Sequence, residues 1–244
     1  MIILNNTVIG IEGLVGSGKT SICRELLNRI PNSIVLHGGN IYRGIVYSLM
    51  KENRDTLNNM KNLEESIEQI DIKRVMDMLN VEVKIENKES VVYVKGEKIA
   101  EEKLQSKEAS MAVSVVGGSA DNSNLFIFFR NYIDELKDNY NVILSGRALN
   151  LIYPKLDYHF FITASLDERV RRKALQYGDN ADLEELRDHI FKRDELQKKA
   201  GFYDLSEKTI EIDVTDCKSI EESTDKVCAF LSKHLRKSFQ KQVN

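Results

Sequence analysis

Thr7-Val8-Ile9-Gly10-Ile11-Glu12-Gly13-Leu14-Val15-Gly16-Ser17-Gly18-Lys19-Thr20 decides how this chain folds. A β-branched run feeds a Gly-x-x-x-x-Gly-Lys-Thr loop, the pattern of a phosphate-binding P-loop. The order of elements matters as much as the letters. A strand must bring the chain to the loop and a helix must carry it away, so that backbone N–H groups converge on phosphate oxygens. Val8, Ile9 and Ile11 supply the strand, and Ile22, Leu26, Leu27 and Ile30 give an apolar face at helical spacing after the loop. Pro31-Asn32 then ends the helix. The expected nucleotide-phosphate site is Gly13, Leu14, Val15, Gly16, Ser17, Gly18, Lys19, Thr20 and Ser21. Lys19 is placed to neutralise β- and γ-phosphates, and the Thr20 hydroxyl to meet Mg²⁺.

The bulk numbers narrow the class. A chain of 244 residues can bury one core with smaller inserted lobes. Its composition, 42% hydrophobic and 30% charged with a formal net charge of −3, gives no electrostatic case for nucleic acid or an anionic membrane. No apolar run has the length of a membrane span, and no secretory signal precedes the first strand. The three cysteines (Cys23, Cys217, Cys228) and four histidines (His37, His159, His189, His234) lack metal-ligand spacing. The expectation is a cytoplasmic monomer acting on a small-molecule nucleotide, with no nucleic-acid or membrane partner.

Four more segments read as short buried strands of a parallel sheet: Ser33–Leu36, Val142–Ser145, Tyr158–Thr163 and Thr209–Asp213. Helical patterns separate them, so the fold class is α/β, a three-layer α/β/α P-loop domain with a five-stranded parallel sheet. From about residue 62 to residue 124 the rhythm changes to helix, then Val81–Ile85 and Val91–Val94 with a turn at Gly96, then helix from Ser106. This predicts an inserted α+β lobe over 62–124, leaving by a hinge at Gly117–Asn124. A second insertion over 166–200 reads as two helices, capped by Ser165-x-x-Glu168 and Asp182-x-x-Glu185 and joined at Tyr177-Gly178-Asp179-Asn180. The core domain is then 1–61, 125–165 and 201–244, ending in a helix from Ile220 to about Lys237.

Absences prune the possibilities. The chain has no Asn-Lys-x-Asp or Asp-x-x-Gly and no ABC or helicase signature. What remains is a core with one lobe for an acceptor and an arginine-rich hairpin able to close over ATP and exclude water, the plan of a small phosphotransferase.

At this point the chain resembles the bacterial cytidylate kinases over most of its length. Val8–Arg24 is similar to that family's Ile-Asp-Gly-Pro-Ala-Gly-Ser-Gly-Lys-Ser segment, and Leu36-His37-Gly38-Gly39-Asn40-Ile41-Tyr42-Arg43 to Leu-Asp-Thr-Gly-Ala-Met-Tyr-Arg. Tyr93-Val94-Lys95-Gly96-Glu97 falls where a strand-borne Asn-Gly-Glu occurs, and Ser110-x-x-x-Ser114 where paired serines occur. Gly146-Arg147 and Tyr153-Pro154 resemble Gly-Arg-Asp and Phe-Pro, Phe161–Arg172 is the closest of these matches, and Lys192-Arg193-Asp194 resembles the lid motif. The resemblance implies ATP and Mg²⁺ as cofactors and CMP or dCMP as acceptor. It implies Lys19, Arg147, Arg172 and Arg193 in catalysis, Arg43, Ser114, Arg147 and Arg193 on the acceptor, and Thr20 on the metal. Arg169 and Arg171 are further lid arginines, and Glu12 is either a carboxylate for metal-bound water or acceptor, or a helix-dipole or loop carboxylate.

Departures gather on the acceptor side. The family's Asp after the second strand is His37, its acidic residue before Gly-Arg is Ser145, and the Asp after it is Ala148. In the lid, Arg-Asp-x-x-Asp-x-x-Arg has become Arg193-Asp194-Glu195-Leu196-Gln197-Lys198-Lys199-Ala200. The arginine opening the helix before the third strand falls near Asn124, with Arg130 as a substitute if the helix is shifted. Alongside cytidylate kinase activity stand two alternatives, a P-loop kinase with a changed acceptor and a non-catalytic ATP-binding protein.

Overall fold

The computed structural model describes residues 2–44, 80–104, 123–177 and 182–242. Strand β1 (Val8–Gly13) is buried throughout and lies at the centre of the sheet. It is followed by α1 (Lys19–Arg29), β2 (Ser33–His37) and a helical stretch over 38–44. Next come β3 (Val81–Glu86), β4 (Glu89–Val94), β5 (Glu97–Lys98) and α2 (Glu101–Leu104). Helix α3 (Ser123–Lys137), β6 (Asn141–Ser145), α4 (Leu149–Ile152) and β7 (Tyr158–Thr163) return the chain to the core. Helices α5 (Leu166–Tyr177) and α6 (Leu183–Lys199), then β8 (Ile210–Asp213) and α7 (Ile220–Gln242), complete it.

Strands β2, β6, β1, β7 and β8 run parallel in that order, at the five places where the sequence reads as strand. Side chains alternate across a strand, so β1 feeds two cores at once. Val8 joins Ile34, Leu36, Val142 and Leu144 under Phe129 and Ile133 of α3. Ile9 and Ile11 join Val35, Ile143, Phe160 and Ile162 under Ile22 and Leu26 of α1 and Val227 and Leu231 of α7. Three layers follow from that alternation.

The sheet is wider than the sequence indicates. It has eight strands, because the β-rich part of the inserted segment docks on β2 instead of standing apart. Strand β4 pairs with β2 at Val35↔Glu89, the Val35 amide donates to Lys88 O at 2.7 Å, and β3 and β5 flank β4 antiparallel. Val81 and Val92 bury themselves in the α3-side core, which covers an edge that would otherwise be open. The helix expected from Ser106, Ser114 itself, and most of the hinge at Gly117–Asn124 lie outside the described residues, as do Gly178, Asp179 and Asn180. The lid helices start where their caps stand: Ser165 Oγ accepts from Glu168 N at 3.3 Å, and Asp182 Oδ1 from Glu184 N and Glu185 N at 2.9 and 3.0 Å.

Candidate active site

The parallel strands leave their carboxyl ends on one edge, and the strand order reverses between β1 and β6, the position where open α/β sheets form a ligand crevice. Residues 13–18 emerge there from β1. Gly13 lies so close to β7 that a Cβ would sit 2.1 Å from Ile162 O, while the Leu14 amide donates to that same oxygen at 3.0 Å. Gly18 is the N-cap of α1 in the left-handed region (φ 95°), with no side-chain acceptor over the first turn. The Ser17 hydroxyl is fully buried with no partner among the described residues. Open amides at a helix N-terminus, beside a buried unmet hydroxyl, suit the oxygens of a phosphate.

Among the described residues, Lys19, Arg43, Arg147 and Arg193 gather at this loop. Lys19 Nζ folds back onto Gly13 O (2.9 Å) and Leu14 O (2.7 Å), and Arg147 Nη1 reaches the same Gly13 O at 2.7 Å. Burial pushes the Lys19 ammonium well below its usual range and Arg147 and Arg193 push it further, against a smaller opposing pull from Cys23 and Asp194. Burial lowers Arg147 as well, with Arg193 adding to it while Tyr203, Glu12 and Asp194 oppose. Arg43, on the helical stretch after β2, is lowered by burial, then by Arg193 and Arg147. Its Nε is buried and unmet, and its one polar contact among the described residues is Nη1 to Asn40 Oδ1 at 3.4 Å. Arg193 makes no hydrogen bond or ion pair with any described residue. Like charges gathered this way suit an anion shared among them.

The other arginines do different work. Arg169 and Arg172 share the helix face turned to the loop, yet they hold its carbonyls. Arg169 Nη1 donates to Val15 O (2.9 Å) and Nε to Ala164 O (3.0 Å). Arg172, which the resemblance assigns to catalysis, donates to Glu168 (2.7 Å), Ser17 O (3.3 Å), Val214 O (2.7 Å) and Cys217 O (3.3 Å). It braces the loop against the stretch between β8 and α7, with Nη1 beside Gly18. Arg171 is exposed and paired to Glu168. Arg130 does not substitute for a site arginine, because it donates to Leu151 O and Ile152 O, tying α3 to α4.

Glu12 meets the first amide of α4. Its carboxylate is buried, accepts from Leu149 N at the start of α4, and lies 3.2 Å from His159 Nε2. That carboxylate serves a helix whose own N-cap residue, Ala148, offers no side-chain acceptor. Thr20 is exposed on the first turn of α1. Among the described residues no group of three or more His, Cys, Asp or Glu could hold a metal ion. Mg²⁺ needs no such group, since it keeps several waters and takes most remaining ligands from substrate phosphates. One hydroxyl at this loop is therefore compatible with it.

Sequence reading missed Glu89, Lys173 and Tyr203, and placed Asp194 in the lid motif without a role of its own. Glu89 opens β4 and brings a carboxylate beside position 37: His37 Nε2 meets it at 2.7 Å and Arg24 Nε at 3.0 Å. Burial opposes its ionisation, but the bonds from His37 and Arg24 prevail and hold its carboxyl below the usual range. Lys173 on α5 is lowered by burial and by Arg193. Tyr203 places its phenol 2.7 Å from Asp194 Oδ1 and 2.6 Å from Gln197 Oε1. Only the pairing of Glu89 with β2 brings it to His37, and no local pattern announces that.

Against known proteins, the model of the family described as Cytidylate kinase matches residues 9–233. Cytidylate kinase of Clostridioides difficile is 30% identical over 230 residues, covering 92% of this chain and 97% of that protein. Cytidylate kinase of Caldanaerobacter subterraneus subsp. tengcongensis is 28% identical over 240 residues, covering 96% and 98%. That of Caldicellulosiruptor bescii is 29% identical over 228 residues, covering 90% and 92%.

Proposed function

The chain belongs to the cytidylate kinase family, a family of phosphotransferases, and on that premise we propose that it moves the γ-phosphoryl of ATP to the phosphate of CMP or dCMP. One observation supports this most: Lys19, Arg43, Arg147 and Arg193 gather at the P-loop, with a buried unmet Nε on Arg43 and no hydrogen bond or ion pair from Arg193 to any described residue. A single phosphate chain would satisfy Lys19. Four cations spread across the crevice suit two phosphate groups and the phosphoryl passing between them.

In this reading the amides of residues 14–20 and Lys19 bind the β- and γ-phosphates. Arg147 and Arg193 neutralise the equatorial oxygens of the transferring group, where charge stabilisation supplies most of the catalysis. Arg43 grips the acceptor phosphate with a planar fork of donors. Ser114 would join it. Thr20 would hold Mg²⁺, whose charge offsets that of the β- and γ-oxygens. Closure of α5 and α6 excludes water, so transfer outcompetes hydrolysis.

A coupled ADP-release assay over a panel of monophosphates tests the proposal. CMP and dCMP should turn over, and Arg43→Gln should raise the acceptor KM by about tenfold or more, the loss expected for a charge-assisted bond. A second reading rests on Ala148, Gln197 and Ala200, which stand where the family pattern has Asp, Asp and Arg. Under it the acceptor is a different phosphorylated compound. Turnover with another acceptor but not with CMP or dCMP would favour that reading, and no turnover with any monophosphate would overturn the first.

A further inference from the structure

Asp194 sits beside an anion site, which is an odd place for a carboxylate. It adjoins Arg193 on α6 and its charge is felt by both Lys19 and Arg147. Any phosphate arriving there is repelled by it. Yet both its oxygens are occupied: Oδ1 accepts from Val15 N (3.1 Å) and lies 2.7 Å from the Tyr203 hydroxyl, and Oδ2 accepts from Arg169 Nη1 (2.5 Å). Arg169 in turn donates from the same nitrogen to Val15 O at 2.9 Å. One loop residue thus has its amide held by an acid of α6 and its carbonyl held by an arginine of α5. The Arg169 and Asp194 side chains are only 7% and 13% exposed, so water competes weakly for either.

We propose that Asp194 is a positioning residue: it latches α6 to the Val15 peptide and thereby sets both the P-loop backbone and Arg193. Consecutive residues on a helix point about 100° apart. Anchoring Asp194 on the loop therefore fixes the direction in which Arg193 projects. Because Asp194 takes Arg169 as its partner, Arg193 keeps its charge for the crevice. With its amide turned to Asp194, Val15 does not wander, and the neighbouring amides stay aimed inward. Val15, Val170 and Ile190 pack together behind the latch and exclude water from it. Tyr203 orients the carboxylate from the side, its ring edge against Phe161 at 5.5 Å. The backbone half of this inference stands alone; its effect on turnover rests on the phosphotransfer reading.

The test uses Asp194→Asn and Tyr203→Phe in the full chain. Asn keeps the acceptor for Val15 but turns an amide toward Arg169, which breaks the latch. With ATP and CMP, kcat should fall about 10- to 100-fold while the KM for ATP moves less than about threefold, the split expected when positioning fails and binding survives. ATP hydrolysed without acceptor, counted per transfer, should rise at least about threefold as the lid leaks water. That ratio does not depend on how much of the preparation is folded. Amide exchange over residues 13–20 should quicken about tenfold while β1 and β6 stay protected. Tyr203→Phe should shift each readout the same way by less, and it carries the test if Asp194→Asn does not fold. An unchanged hydrolysis ratio and unchanged loop exchange in a folded variant would overturn the latch. If the wild-type chain transfers nothing, the phosphotransfer reading fails by itself, and loop exchange in the two variants still decides the latch.

Discussion

Lys19 carries the motif's charge in a confined place. Its ammonium donates to two carbonyls, Gly13 O and Leu14 O, and burial with two nearby arginines makes protonation harder. Phosphate oxygens reverse that environment and raise the lysine's pKa. Nucleotide binding should therefore absorb a proton at alkaline pH, and affinity should fall as pH rises through the lysine's own pKa in the free protein. Calorimetry with a non-hydrolysable ATP analogue in two buffers of different ionisation enthalpy checks this; an enthalpy independent of buffer would refute it. The stability sign follows from the same shift. Between its lowered folded pKa and the ordinary value near 10.4, the unfolded chain holds the proton and the folded one does not, so Lys19's penalty on stability is relieved as pH rises through that window. Ala148 carries a separate cost. It sits in the left-handed region (φ 52°, ψ 34°), where a Cβ meets the following carbonyl. Ala148→Gly should gain about 0.5–1 kcal/mol in urea unfolding, the relief of the clash exceeding the added chain entropy. The Asp that the family pattern has there tolerates this conformation better than alanine does.

Among the elements, α5 gives a clear pH prediction. Hydrogen bonds from Arg171, then Arg172, outweigh burial and hold the Glu168 carboxyl at about 2. A depressed folded pKa means stability that is fully present above the ordinary glutamate range and lost as pH falls toward 2. Because Arg171 is exposed, screening reduces the contribution to about 1 kcal/mol. Glu168→Gln should show that loss at pH 7 in thermal unfolding, and the difference from wild type should vanish near pH 2. On α6, Asp182→Ala removes the acceptor for two first-turn amides and should cost about 1 kcal/mol. The elements also show what a sequence can reveal. The five parallel strands and their helices are legible because buried strands are continuous apolar runs and caps are local. The docking of β4 on β2 is not, since alternation marks a strand without naming its partner. Arginines divide likewise: Arg169, Arg172 and Arg193 look alike on helices, and only the loop carbonyls they meet or miss separate the braces from the free charge. Glu12 is a brace for the same reason, decided by the amide of Leu149 on an element far along the chain.

Over the whole molecule, a chain of net charge −3 concentrates positive charge on one sheet edge and leaves part of it unmet. The free protein carries this as strain between like charges and a buried, unmet Arg43 Nε. Stability and binding should therefore move in opposite directions when one of these charges is removed, as is common where a site is built against the fold's own preference. ATP at about 100 times its Kd should stabilise the wild-type protein by about 2.7 kcal/mol. For a protein of this length that is a rise of about 5–10 °C in Tm. Arg43→Gln should leave the Tm of the free protein equal or higher, because desolvation and repulsion from Arg193 and Arg147 are relieved. It should keep the shift produced by ATP, which Lys19 and the loop amides hold, and lose the further shift produced by adding CMP. Thermal scans of both proteins, alone, with ATP analogue, and with analogue plus CMP, separate these contributions. A free Arg43→Gln protein more than about 1 kcal/mol less stable than wild type would assign Arg43 to the framework and not to the acceptor.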